Sequence, residues 1–172
     1  MESIIVSLCD RTGNMVRDWA AAGWTCYCVD VQHSIRKPRH DGNIWFVWGD
    51  ARSWCPPSGS RIHALFAFPP CTDVAGSGAR DFLSKGPMLL DDAINLFTAC
   101  RQAARFSGAR WMIENPVGVL SNIPHIGKPS HYFDPCDYAG YLTEGEQDEE
   151  AYTKRTCLWT GGGLCDASKA AS

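Results

Sequence analysis

SIIVSLCDRTGNMVRDWAAAGWTCYCVDV (residues 3–31) contains two apolar runs, SIIVSLC (3–9) and WTCYCVDV (24–31), on either side of NMVRDWAAAG (14–23). Both runs are almost continuously apolar, as strands covered on two faces are. The segment between them spaces its apolar residues at helical intervals and stops at Gly23. Strand, helix, strand in that order predicts parallel strands joined by a crossover, because the separation is too long for a hairpin.

The alternation continues outward from this unit. Further apolar runs stand at NIWFVWG (43–49), IHALFAFPP (62–70), ARWMIENP (109–116) and RTCLWTG (155–161). Between the fourth and fifth runs, PMLLDDAINLFTACRQAARFSG (87–108) reads as a longer helix, with Pro87 in its first turn and Gly108 at its end. The expected fold is α/β with a doubly wound, mostly parallel sheet. Residues 30–43, 72–86 and 121–152 read as loops, the last of them long enough to carry a function. One catalytic domain is expected over 1–162, with 163–172 as a flexible tail.

Composition narrows the class. A chain of 172 residues, 45% hydrophobic and 20% charged, has the balance of one globular domain with a real core. Long apolar spans are absent and the amino terminus lacks signal-peptide features, so a cytoplasmic location is expected, with no membrane association. The nine cysteines follow no framework spacing and read as reduced thiols. Cys26 and Cys28 alternate along a strand and read as two small side chains on one face, so no metal site is expected. A formal net charge of −3 argues against tight, unaided binding of duplex DNA. Arg101, Arg105, Arg110, Lys154 and Arg155 remain candidates for a local basic groove.

In open α/β sheets, ligands bind at the carboxyl ends of the strands. The chemically suggestive residues of this chain fall there. CDRTGN (9–14) is a turn into a helix, and Gly13 allows close backbone approach. Asp30, after the second run, suits ribose hydroxyls, and Gly49-Asp50, after the third, suits an exocyclic amine. Together they describe an adenosine site, although an Asp after a strand is more often a cap or turn former. FAFPPCTDVAGSG (66–78) sets Cys71 after two stiffening prolines and before Gly76 and Gly78, which permit a lid to move. WMIENPVG (111–118) sets Glu114 and Asn115 at the next strand end, with Pro116 fixing the chain direction. Cysteine is often merely buried, and Glu-Asn-Pro is also a turn sequence. The two motifs in this order, downstream of an adenosine-type half, favour one shared pocket.

These residues resemble the cytosine-C5 DNA methyltransferase family, in a short form restricted to the catalytic core. Leu8 to Asn14 look like its first cofactor motif, Asp30 and Asp50 like its ribose and adenine acids, and Pro69-Pro70-Cys71 like its nucleophile motif. Glu114-Asn115 looks like its Glu-Asn-Val motif with Pro116 in place of Val, and TKRTCLWTGG (153–162) is similar to the later strand whose arginine holds the target base. The resemblance implies S-adenosylmethionine as cofactor, bound by Leu8, Cys9, Asp10, Thr12, Gly13, Asn14, Asp30, Val31, Asp50, Ala51 and Pro69. It implies Cys71, Glu114, Asn115 and Arg155 as catalytic residues, and Pro70, Thr72, Gly76, Gly78 and Pro116 as substrate-binding ones. DNA is the implied partner; a free nucleotide, a single strand or RNA, and a non-catalytic binding module, stand as alternatives. The chain departs from the pattern at Arg11, where glycine is expected, and at Thr72, where glutamine is expected. It also shows no target-recognition domain, which a separate subunit docking on 121–152 would supply.

Overall fold

A computed structural model describes residues 1–72, 87–137 and 154–164. Strands β1 (Glu2–Leu8), β2 (Thr25–Asp30), β4 (Ile44–Trp48), β5 (Ser60–Ala67), β6 (Arg110–Pro116) and β8 (Thr156–Gly161) occupy the six apolar runs. Two short strands add to them, β3 (Arg39–Asp41) and β7 (His131–Phe133). The eight form a sheet in the order β3-β4-β2-β1-β5-β6-β8-β7. Pairings β1–β2, β1–β5, β2–β4 and β5–β6 are parallel, and the edge pairs β3–β4 and β7–β8 are antiparallel.

The expected parallel α/β sheet is therefore present, with two corrections at its edges. The 30–43 stretch is not loop throughout, because Arg39–Asp41 pairs with Ile44–Phe46 around Gly42 as a hairpin. Likewise 121–152 includes β7, whose His131–Phe133 backbone pairs with Thr156–Leu158. Neither short strand is apolar enough to stand out in sequence; each is specified by its partner's free edge. The first helix is also shorter than 14–23, being a 3-10 turn over Asn14–Val16 followed by α1 (Arg17–Ala21).

Strand order reverses around β1. The chain passes from β1 to β2 and β4 on one side, then returns to β5 and β6 on the other. The carboxyl ends of β1 and β5 thus flank the topological switch point, where such sheets bind ligands.

By its internal contacts the chain divides into two units, Met1–Pro69 with Asn95–Ile113 and Thr160–Ser172, and Pro70–Ile94 with Glu114–Trp159. In the first unit Ile4, Ile5 and Val6 of β1 are completely buried. Each contributes about 1.5–3 kcal/mol through its removal from water. Alternation along the strands separates two cores. Ile5, Cys26, Cys28, Ile44, Phe46, Ala64 and Phe66 gather on one face with Val16, and Trp19 and Ala20 of α1 pack against them. Helix α2 (Pro87–Phe106) buries Phe97, Cys100 and Ala104, residues spaced for one helical face. Past its end, Gly108 takes the left-handed conformation, φ +65°, that closes helices. No helix among the described residues is long and apolar enough to cross a membrane.

Candidate functional site

The turn after β1 is built around one carboxylate. Asp10, only 6% exposed, accepts hydrogen bonds from Ser7 Oγ at 2.7 Å, the Gly13 N–H at 2.7 Å, the Thr12 N–H at 3.0 Å and Thr12 Oγ1 at 3.3 Å. Its neighbour Cys9 has φ +54°, a left-handed conformation unusual for a non-glycine residue, and donates its N–H to Val29 O at 2.8 Å. Gly13 also has positive φ, +75°, and a Cβ there would lie 2.9 Å from the Phe46 ring. Both the backbone and the packing therefore require glycine at position 13. Leu8 is buried beneath the turn, whereas Thr12 and Asn14 are exposed on it.

The other acids at the ends of β2 and β4 each hold their own turn as well. Asp30 is 8% exposed, and its Oδ1 accepts the Gln32 N–H at 2.7 Å. Asp50 accepts the Arg52 N–H at 2.9 Å on Oδ1 and pairs with Arg52 Nη1 at 3.0 Å through Oδ2. Val31 is exposed and Ala51 buried. Because β4, β2, β1 and β5 are consecutive in the sheet, Leu8 to Asn14, Asp30, Val31, Asp50, Ala51 and Pro69 all follow carboxyl ends of adjacent parallel strands. A carboxylate offers about four lone-pair sites, so Asp30 and Asp50 retain acceptor capacity beyond their turns.

The second unit contains the proposed reacting groups. Cys71 is a partly exposed free thiol, four residues beyond β5; Pro70 and Thr72 on either side of it are exposed. Glu114 and Asn115 lie near the carboxyl end of β6, Glu114 half-buried and Asn115 1% exposed, with Pro116 also buried. Burial pushes the Glu114 carboxyl above the usual carboxylate range, and the positive charge of Lys154 works in the opposite direction. In β8, burial and the charge of Glu114 together raise the Cys157 thiol. The Val117 N–H donates to Arg155 O at 3.0 Å, tying the exit of β6 to the entry of β8.

Arg155 is engaged by a residue that sequence reasoning missed. Its Nη1 meets Asp134 Oδ2 at 3.3 Å, and its guanidinium lies 5.8 Å from the centroid of the Tyr132 ring. The side chain is nevertheless 61% exposed. Asp134 and Lys154 carry no sequence signal of their own; they matter through the pairing of β7 with β8 and the approach of β8 to Glu114. The expectations for Gly76 and Gly78, and for nearly all of the 163–172 tail, lie outside the described residues.

Neither protein-family models nor curated proteins match the sequence. Among solved structures, an antibiotic-related methyltransferase is similar at 12% identity, with a TM-score of 0.48, over 92% of this chain and 86% of that one. The glycopeptide N-methyltransferase MtfA is similar at 10% identity, with a TM-score of 0.39, over 93% of this chain and 65% of that one. In its complex with S-adenosyl-L-homocysteine the same protein gives 10% identity and a TM-score of 0.40, over 92% of this chain and 66% of that one. The chain thus spans just under two thirds of the length of MtfA.

Proposed function

We propose that the chain transfers a methyl group from S-adenosylmethionine to C5 of cytosine in DNA, through a transient covalent bond between Cys71 Sγ and C6. The observation that carries this reading is the register of two parallel strands. Ala64–Ala67 of β5 pair with Arg110–Ile113 of β6, so Pro-Pro-Cys and Glu-Asn-Pro leave the sheet from neighbouring strand ends.

Cytosine C5 is a poor nucleophile until the 5,6 double bond is opened. The Cys71 thiolate adds to C6, and the displaced π electrons build charge over the ring toward C5 and N3. Glu114, its carboxyl raised above the usual range by burial, shares a proton with N3 and stabilises that charge. Buried Asn115 positions Glu114, and Arg155 offers N–H donors to O2 of the base. Once C5 has gained the methyl group, with S-adenosylhomocysteine as the leaving group, the C5 proton passes to water, the ring double bond re-forms and the Sγ–C6 bond breaks to return the Cys71 thiolate. A cytosine in a duplex must leave the stack before this can occur.

The cofactor reading rests on the donor set of the first unit. Asp30 would accept the ribose hydroxyls and Asp50 the adenine amine, with the Cys9–Asn14 turn beneath the remainder. When bound there, S-adenosylmethionine supplies an electrophilic methyl group on its sulfonium. One observation favours a second reading, modification of a free pyrimidine nucleotide, a single strand or RNA: the net charge of −3 is unfavourable for unaided duplex binding.

The test is trapping with oligonucleotides containing 5-fluorocytosine, since fluorine at C5 blocks the final elimination. A cofactor-dependent covalent adduct that disappears in Cys71→Ala is expected. Absence of any adduct on DNA or RNA, with cofactor binding demonstrated, would refute the proposal.

A further inference from the structure

The segment QHSIRKPRH (32–40) carries Arg36, Lys37, Arg39, His33 and His40 and not one acid. In an acidic chain this is a local reversal of charge, and it lies beside a cavity. Arg11, Gln32, His33, Ser34, Arg39 and Phe46 line a space of about 280 Å³. All of these residues belong to the first unit.

The cavity walls are held in place. The Arg39 guanidinium stacks 3.7 Å above the centre of the Phe46 ring, which fixes a flexible side chain without neutralising it. The His33 ring places Nδ1 3.0 Å from Val47 O and Nε2 3.2 Å from Arg11 O, so it sits between the turn after β1 and the end of β4 and donates to one of the two carbonyls in its neutral form. Gln32 is anchored through its N–H to Asp30 Oδ1. Among the described residues no carboxylate pairs with Arg11 or Arg39. Two unneutralised guanidiniums, a hydroxyl and an amide around one space form a donor-rich cavity, the chemistry that takes a phosphate group.

We propose that this cavity binds a phosphate of the nucleic-acid substrate, and that Arg11, the residue that departs from the glycine-rich pattern, is one of its two principal ligands. Nearby surface favours a strand over an isolated ion. Arg36 and Lys37 are exposed and continue the positive charge along the chain. A run of exposed cations beyond the cavity is what successive backbone phosphates require. This inference rests on the reading that the substrate is a nucleotide or nucleic acid, but it does not depend on methyl transfer.

The experiment uses the full chain with Cys71→Ala in the background, so that no chemistry intervenes. Fluorescence anisotropy of a labelled single-stranded cytosine-containing oligonucleotide is measured across a salt series for the parent, Arg11→Ala, Arg39→Gln, the double variant and the control Arg61→Ala. Arg61 is an exposed residue near the start of β5, remote from the cavity in the strand register. Folding of each variant is checked by circular dichroism and thermal melting. The single variants are expected to weaken binding about tenfold each, and each lost phosphate contact lowers the slope of log K against log salt by about 0.7. Arg61→Ala leaves both quantities unchanged. Competition by dCMP that is itself lost in the variants supports the site with a free nucleotide as the source of phosphate. Competition by longer oligonucleotides alone supports it with a strand as the source. Binding and salt slope that are identical in folded variants and parent would overturn the proposal. So would variants that lose S-adenosylhomocysteine but keep the oligonucleotide, since the arginines would then serve the cofactor.

Discussion

Replacing Asp10 tests whether the turn after β1 is organised by its carboxylate. The side chain is buried and accepts from two strong buried donors, Ser7 Oγ and the Gly13 N–H, each at 2.7 Å, besides the weak Cys28 S–H at 3.9 Å. Asp10→Ala removes both acceptors at once, and an orphaned buried donor costs about 1–3 kcal/mol. Two of them give a loss of about 4 kcal/mol, with the partly buried Thr12 N–H turning to water. In a chain of this size each kcal/mol moves the melting point by about 2–4 °C, so a drop of roughly 8–16 °C is expected. Asp10→Asn discriminates the cause. Its carboxamide oxygen still accepts from Gly13, and the Ser7 hydroxyl turns to accept from the new amide group. The loss is then the charge assistance alone, about 1 kcal/mol. Urea unfolding measures both variants, and calorimetry with S-adenosylhomocysteine reads whether the turn still presents its ligand face. The reasoning fails if Asp10→Ala stays within about 1 kcal/mol of the parent, because the buried donors would then have other partners.

Other expectations concern the second unit and the packing of the first. Glu114→Gln is expected to abolish methyl transfer while unfolding at higher denaturant than the parent near neutral pH. Because the folded carboxyl titrates above its ordinary range, its neutral form carries no penalty in acid and stability falls as pH rises through the raised value. The gain from Gln must therefore vanish in acid, and an advantage that persists there would contradict this account. Lys154→Met removes the charge that opposes the shift, so the alkaline limb of the activity profile moves to higher pH; a move to lower pH would be the wrong sign. Brief alkylation of the native protein should label Cys55, Cys136 and Cys71 while sparing Cys26, Cys28, Cys100 and Cys157, as peptide mass mapping will show. Those four are buried, and burial lifts the Cys26 thiol to about 11. Gly161→Ala should destabilise strongly, since its Cβ would lie 2.5 Å from the Trp111 indole, and Trp111→Leu in the same chain should recover part of the loss.

How much of this was legible in the sequence depends on what specifies each part. The six long strands could be read because burial on both faces forces continuous apolar runs, and α2 because Phe97, Cys100 and Ala104 repeat at helical spacing. β3 and β7 could not, because RHD and HYF have no periodic pattern and pair only where β4 and β8 offer an edge. In the candidate site, the positions of Asp10, Asp30, Asp50, Cys71 and Glu114 beyond or near strand ends followed from the alternation alone. Their partners did not. Arg52, Asp134 and Lys154 gain meaning from proximity, which sequence spacing does not encode. The positive φ of Cys9 was invisible for a related reason, since glycine is the residue that announces such a conformation.

Cys9 and Arg11 together explain how the turn after β1 is built with a single glycine. A glycine-rich turn serves two needs: left-handed backbone angles and close approach of a ligand to bare N–H groups. In this chain Cys9 itself adopts the left-handed angle, held by its N–H bond to Val29, and Asp10 consumes the N–H groups of Thr12 and Gly13. Only Gly13, pressed against Phe46, still requires the absence of a side chain. Position 11 is thereby released from the glycine requirement, and Arg11 lines the basic cavity with Arg39. The arginine at position 11 and the cavity it borders are then one structural feature. Substituting Arg11→Gly should separate the two functions, leaving S-adenosylhomocysteine binding intact while weakening the oligonucleotide. Loss of both ligands in a folded Arg11→Gly protein would mean that the turn itself depends on the arginine, and the division of labour argued here would be wrong.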